Sequence, residues 1–323
     1  MQQILTIFAL IKSIVMTIQQ LTYIIALDKY RSFAKAAEHC GVTQPTLSKM
    51  VAKLEEELDV RIFDRTNRHV SPTATGIRII HQALHAVQET ERIREIAEET
   101  RSTVGGELRM SVGPSIAPYI LPGFIRLYSA GYPCVSFSIE ELRLQNMLDA
   151  LECGSVDMAI ATGGNSREGM LEIPLYNEPF WVYLSAGCVS GSESFAPDEL
   201  DHENMWVMKE AQCLRESAFS FCKARDTGHR VYEAGNIETL VRVVDANGGF
   251  TIIPEMHLPL LTASQRENVR PLVGECLSMR RVSMYIRQDY VREKMLNSVV
   301  DTLKKVVPPH MWDPFVQKGN IRI

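Results

Sequence analysis

The chain has 323 residues, of which 46% are apolar and 23% charged, and its net charge is −5. That length exceeds one ordinary domain, the composition is that of a globular protein with ample core, and no run of about 18 apolar residues could form a membrane span. The acidic balance argues only weakly against nucleic-acid binding, because a local basic patch can sit on an acidic chain.

The opening stretch MQQILTIFALIKSIV is apolar but lacks a basic leading region and a small-residue cleavage site, which argues against a secretory leader. Organised patterning begins at Met16, so residues 1–15 are expected to be an upstream-start artefact or an unstructured extension. The seven cysteines are irregularly spaced and form no CxxC, which argues against a zinc ribbon or a thioredoxin-type site. No cofactor and no metal are expected. A reducing, cytoplasmic compartment is expected, where a disulfide would be regulatory rather than structural.

The stretch RSFAKAAEHCGVTQPTLSKMVAKLEEEL reads as two helices joined by a short turn. Ser32 and Thr43 are the caps, Gly41 supplies the left-handed residue after the first helix, and Pro45 lies in the first turn of the second. Leu47, Met50, Val51, Leu54 and Leu58 follow helical spacing and should face inward, as should Ala36, Ala37 and Cys40 on the first helix. This is the helix-turn-helix pattern. The outward face then carries Gln44, Thr46, Ser48, Lys49 and Lys53, short hydrogen-bonding groups and cations suited to base edges and phosphates. IFDRTNRHVSPTATG follows as a β-wing with Arg65, Arg68 and His69 near its tip. Double-stranded DNA is the expected partner, contacted by Gln44, Pro45, Thr46, Ser48, Lys49, Lys53, Arg65 and Arg68. The blander alternative is a solvated helix face beside a polar hairpin.

Residues 43–48 (TQPTLS) and 54–65 (LEEELDVRIFDR) resemble, almost without gaps, the winged helix-turn-helix of LysR-type transcriptional regulators. The resemblance implies a DNA-binding domain over residues 16–74, then a linker and dimerisation helix over 75–103. That helix is legible on its own terms: it lacks proline, and Ile77, Ile80, Leu84 and Val87 recur at steps of three or four. A 26-residue helix is roughly 39 Å long and cannot bury such a stripe alone, so a partner copy is expected. His81 and His85 have metal-pair spacing without a third ligand and read as a solvated face. STVGG at 102–106 reads as a hinge.

Beyond it, ELRMSVGPS, VSFSIEE and VDMAIAT read as strands, alternating with helices at IAPYILPGFIRLY and QNMLDALECG. The alternation predicts a parallel α/β sheet. A second set runs from PFWVYLS through RVYEAG, IETLVRVVDANGG and FTIIP, and RRVSMYIRQ with a final helix over 290–306 returns to the first. The expected fold is α/β with an N-terminal winged helix-turn-helix and, by resemblance to the same family, a two-lobed periplasmic-binding-protein-like effector domain. Its first lobe spans 107–176 plus 283–310 and its second 177–282.

Within the second lobe stand Cys213 and Cys222. In a helix, nine steps advance roughly 13.5 Å and turn half a circle, whereas a disulfide needs Cα atoms within about 7 Å. The two are therefore either unrelated or joined only if the segment changes shape. CLRESAFSFC and GPSIAPYILP resemble the OxyR-type, peroxide-sensing branch of the LysR family. That resemblance implies that hydrogen peroxide is the signal, that Cys213 is oxidised to a sulfenic acid, and that Cys222 condenses with it. Supporting residues would be Ser115, Gln212, Arg215, Glu216 and Arg287, with Arg215 and Arg287 favouring the thiolate. The chain departs from the branch where Gln212 replaces a histidine, Glu216 an aspartate, Leu144 a threonine and Ser115 a threonine. The other cysteines read as structural. The resemblance further implies a dimer of dimers, with RNA polymerase a candidate partner. Two alternatives stay open: a regulator whose interlobe cleft takes a carboxylate ligand on Ser115 and Arg287, and a thiol peroxidase, which would have no use for a DNA-binding segment.

Overall fold

The computed structural model describes residues 16–64, 70–100, 103–163, 167–188, 193–196, 204–208, 230–232, 237–273 and 279–323. The chain divides between Ala97 and Glu98 into two compact units.

In the first unit, α1 (Ile18–Tyr30), α2 (Phe33–His39) and α3 (Gln44–Glu57) each start at a side-chain cap: Thr17, Ser32 and Thr43. Thr17 closes a capping box with Gln20, which satisfies two orphan N–H groups reciprocally. Gly41 holds φ 66°, the left-handed conformation that the turn between α2 and α3 demands. Leu47, Val51 and Leu54 are fully buried against Ile24, Leu27, Ala36 and Ala37, with Met50, Leu58 and Cys40 packed at the edge. The helix α1, which supplies Leu21, Ile24 and Leu27, completes a core that the two-helix pattern alone leaves open.

Strands β1 (Phe63–Asp64) and β2 (Ser71–Pro72) pair antiparallel. They are fastened to α3 because Glu55 Oε1 accepts from the N–H groups of Ile62 (2.8 Å) and Phe63 (3.0 Å). Next comes α4 (Ala74–Glu99), whose start is locked by Thr73. The Thr73 hydroxyl donates to Arg61 O at 2.8 Å and accepts from Gly76 N at 2.9 Å. A Cβ at Gly76 would stand 2.0 Å from Ile62 O, so only glycine lets this helix come so close to the strand.

The second unit holds β3 (Gly106–Val112), α5 (Ala117–Gly131), β4 (Val135–Glu141), α6 (Leu144–Glu152), β5 (Met158–Thr162) and β6 (Met170–Leu184). After β7 (Trp206–Met208) and β8 (Arg230–Tyr232) come α7 (Ile237–Asn247), β9 (Phe250–Pro254), a 3-10 turn (Glu255–Leu260), α8 (Ala263–Arg266) and β10 (Val269–Pro271). The chain closes with β11 (Met279–Arg287), α9 (Glu293–Leu303) and α10 (Pro314–Lys318).

The sheet is mixed, which corrects the expected parallel one. Only β3, β4 and β5 pair in parallel within it; β11 is antiparallel to both β5 and β6. β5 and β6 run in the same direction with β11 between them, so the sheet is mixed because β11, arriving late in the chain, enters that gap antiparallel to both.

The long strand β6 belongs to both lobes. Its residues 170–179 pair with β11, while Phe180–Leu184 pair with β9 and Trp181–Tyr183 with β10. The β6–β11 register shifts at Val282/Ser283, opposite Tyr176 and Pro174. Two apolar cores flank the crossing: Phe124, Tyr128, Met158, Met284 and Leu296 on one side, and Val182, Phe250 and Ile252 on the other. The helix expected over 290–306 is α9, which starts at Glu293 because Arg292 sits outside helical geometry with φ −90° and ψ 67°.

Replacing Gly76 by alanine should destabilise the first unit by about 2–3 kcal/mol through steric overlap at Ile62. Hydrogen exchange of the 61–76 backbone in the full chain reads this directly; protection equal to the parent's would show that the close approach is unimportant.

Candidate functional site

On α3 the structure brings the sequence-selected residues to one side. Gln44, Pro45, Thr46, Lys49 and Lys53 are exposed and Ser48 half-buried, while Leu47, Val51 and Leu54 face the core. The Thr46 hydroxyl lies 2.8 Å from that of Thr43, so the cap and the candidate contact residue share a hydrogen bond. Lys53 Nζ stands 3.5 Å from Glu57, an exposed pair that leaves the ammonium accessible. Arg65 and Arg68 lie outside the described residues.

On the long helix, Ile77, Ile93 and Ile96 are exposed, Ile93 at 68%. The rings of His81 and His85 meet edge-on with centroids 4.7 Å apart.

In the second unit Ser115 sits in the turn after β3, where Gly113 N bonds Ile160 O and Ala117 N bonds Gly113 O. Its partner is an arginine the sequence reading missed. Arg280 Nη1 donates to Ser115 Oγ (3.2 Å) and Nη2 to Ser115 O (3.1 Å), while Nε donates to Glu178 Oε2 (2.7 Å). Arg280 is 1% exposed and Glu178 0%, and the two are cross-strand partners on β11 and β6. The second carboxylate oxygen, Glu178 Oε1, accepts from Met256 N at 2.9 Å. Burial disfavours the Arg280 charge, but Glu178, Tyr176 and Tyr119 around it outweigh that cost and raise its pKa.

Around this pair stand Tyr176, fully enclosed, and Tyr119, whose hydroxyl lies 3.1 Å from His257 Nδ1. Burial pushes both phenols well above their ordinary range and drives His257 down to about 4. At neutral pH the two phenols and the imidazole are therefore uncharged beside the Arg280–Glu178 pair.

Arg287, the arginine selected from the sequence, lies at the other end of β11 from Arg280. It lies opposite Met170, with Nε 3.2 Å from Asp289 Oδ1. It lies seven residue steps along the strand from Arg280, or roughly 23 Å of extended chain. The signal that points to Arg280 is Glu178, a lone carboxylate in the apolar run IPLYNEPFWVYL; such a group is buried only with a cation beside it.

Leu144 opens α6 and packs beside Met147, Leu148 and Tyr285, so the position is filled by apolar contact. Gln212, Cys213, Arg215, Glu216 and Cys222 lie outside the described residues. Cys40, Cys134 and Cys153 are thiols not in disulfides; burial raises the pKa of Cys40. Among the described residues, no group of three or more metal-ligating side chains converges, and no helix is long and apolar enough to cross a membrane.

Arg280→Ala should cost about 3–5 kcal/mol, because it strands a buried carboxylate, whereas the double change Glu178→Leu with Arg280→Met should recover most of that loss. Denaturant titration of the three proteins measures it, and a single variant as stable as the parent would contradict the pair's role. His257 gives a pH dependence of definite sign. The unfolded chain takes up a proton near 6.5 and the folded chain only near 4, so stability falls as the pH drops through that window and is unaffected above it. His257→Gln should abolish up to about 3 kcal/mol of this acid-side loss.

The first unit and the second each match a known family. "Bacterial regulatory helix-turn-helix protein, lysR family" matches residues 18–77, and "LysR substrate binding domain" matches residues 101–308. The chain is 32% identical over 259 residues to the "Hydrogen peroxide-inducible genes activator" of Haemophilus influenzae, covering 79% of this chain and 85% of that protein. It is 31% identical over 246 residues to the "DNA-binding transcriptional dual regulator OxyR" of Escherichia coli, covering 76% and 81%. A full-length OxyR variant from Pseudomonas aeruginosa superposes with a TM-score of 0.78 at 27% identity, over 93% of this chain and 98% of that one. With both of its units matched, the chain belongs to the LysR family of bacterial regulatory proteins, and its resemblance within that family is to OxyR.

Proposed function

We propose that the protein is a peroxide-responsive transcriptional regulator that reads double-stranded DNA with α3 and the adjoining wing. The observation that carries this reading is the Cys213/Cys222 pair, in a chain similar over three quarters of its length to activators named for peroxide-inducible genes. The exposed Gln44, Thr46, Lys49 and Lys53 and the half-buried Ser48 supply base and phosphate contacts, and Arg65 and Arg68 are assigned the same task by sequence. The exposed isoleucines of α4 support assembly with a second copy, and paired readers suit paired half-sites. A dimer of dimers, contact with RNA polymerase and a cytoplasmic location belong to the same reading. The protein acts as a regulator, not a turnover catalyst.

The chemistry balances as two steps. The Cys213 thiolate attacks one peroxide oxygen; the S–O bond forms as the O–O bond breaks, and the departing hydroxide takes a proton to become water. The Cys222 thiol then attacks the sulfur of the sulfenic acid; the S–S bond forms, the S–O bond breaks and a second water leaves. Two thiols are oxidised and one peroxide reduced. Arg215 favours the thiolate by charge, and Ser115 donates to the departing oxygen. Arg287 lies too far along its strand from Ser115 to share that task. Closing the bond requires the two Cα atoms within about 7 Å, so oxidation selects the conformations that permit it. Gln212 brings no charge where the OxyR-type branch has histidine, and oxidation is correspondingly slower.

DNA footprints of the reduced and the peroxide-treated full chain test the proposal. The protected length should change on oxidation, and Cys213→Ser should hold the reduced pattern. A footprint that ignores peroxide but shifts with an added carboxylic metabolite would replace this reading with the ligand-triggered one.

A further inference from the structure

The hydrogen bonds around Arg280 form a closed ring. From Ser115 the path runs to Arg280, then to Glu178 Oε2, from Glu178 Oε1 to Met256 N, along the chain to His257, and from His257 Nδ1 to the Tyr119 hydroxyl. Tyr119 lies one helical turn beyond Ser115 on α5, which closes the loop. The ring crosses the junction of the lobes: α5 packs into one core, the 3-10 turn follows β9 of the other, and Tyr119 touches both.

We propose that Tyr119 and His257 are positioning residues for Ser115. The deduction starts from the serine hydroxyl, which has one hydrogen to give and lone pairs to receive. Arg280 Nη1 fills the receiving side at 3.2 Å, and Arg280 Nη2 pins the same residue's carbonyl. Among the described residues no acceptor takes the hydroxyl hydrogen, and Ser115 is half-buried, so that hydrogen is aimed at whatever enters beside it. Two bonds from one guanidinium fix the residue as long as α5 cannot pivot. The Tyr119–His257 bond supplies the second anchor, one turn along the helix. Remove it, and a buried phenol or imidazole loses its partner while the turn is held at one end only. Small displacements of a donor at a reacting oxygen have large effects on rate.

This inference rests on the peroxide reading, with Ser115 as donor. The test measures, in the full chain, the second-order rate of Cys213–Cys222 bond formation with hydrogen peroxide by quenched mass spectrometry. The rate of alkylation by iodoacetamide is measured alongside, because it depends on the thiolate and its access but not on a donor at Ser115. Tyr119→Phe and His257→Phe should each slow oxidation about tenfold with alkylation unchanged, and His257→Gln should retain part of the rate. In a Ser115→Ala background the Tyr119→Phe penalty should vanish, because the effect passes through that hydroxyl. Variants that oxidise at the parental rate, or whose penalty persists in full without Ser115, overturn the ring's role while leaving the peroxide reading intact. A parent chain that forms no such bond overturns both.

Discussion

The second unit is organised by one buried ion pair. Arg280 and Glu178 face each other across β11 and β6, at the point where the sheet passes from one lobe to the other. Stripping water from both charges costs several kcal/mol apiece, and the contact repays this only if every remaining donor and acceptor is engaged. Here Glu178 also takes Met256 N, and Arg280 also takes the oxygens of Ser115. Satisfying the charges thus ties together β6, β11, the turn after β3 and the turn after β9. A one-residue slip between β6 and β11 would strand both charges in the core, so the pair fixes the register on which the lobe junction depends.

The first unit is built by opposite means. Its first three helices are short, each begins at a capping side chain, and its core is apolar. Most of what shapes it acts over a few residues: Thr17 on Gln20, Thr43 on Thr46, Thr73 on Gly76. The longer-range fastener is Glu55, whose carboxylate holds the start of the wing strand. That division suits a reader of DNA, which must present a rigid helix face, coupled to a sensor, which must hold alternative arrangements. In the second unit β7 and β8 pair parallel, and the proposed redox pair lies between them in sequence.

Three features of the cluster around Arg280 belong to this chain's own side chains: serine at 115, histidine at 257 and the phenol that joins it to α5. A neutral imidazole and a protonated phenol make a bond that survives burial without adding charge beside the ion pair, which keeps the guanidinium's attention on Ser115 and Glu178.

Local features were written legibly in the sequence. The caps Ser32 and Thr43, the left-handed Gly41, the inward spacing of Leu47, Val51 and Leu54, and the strand and helix alternation from residue 106 onward all follow from interactions spanning a few residues. The direction of β11, the sharing of β6 between two lobes and the partner of Ser115 did not. Arg280 lies 165 residues from Ser115 and 102 from Glu178, and Arg287 occupies an equivalent-looking place on the same strand. Only pairing the strands decides which arginine is buried against a carboxylate and which reaches solvent beside Asp289, because a residue's charge is local chemistry while its neighbours are a property of the folded chain.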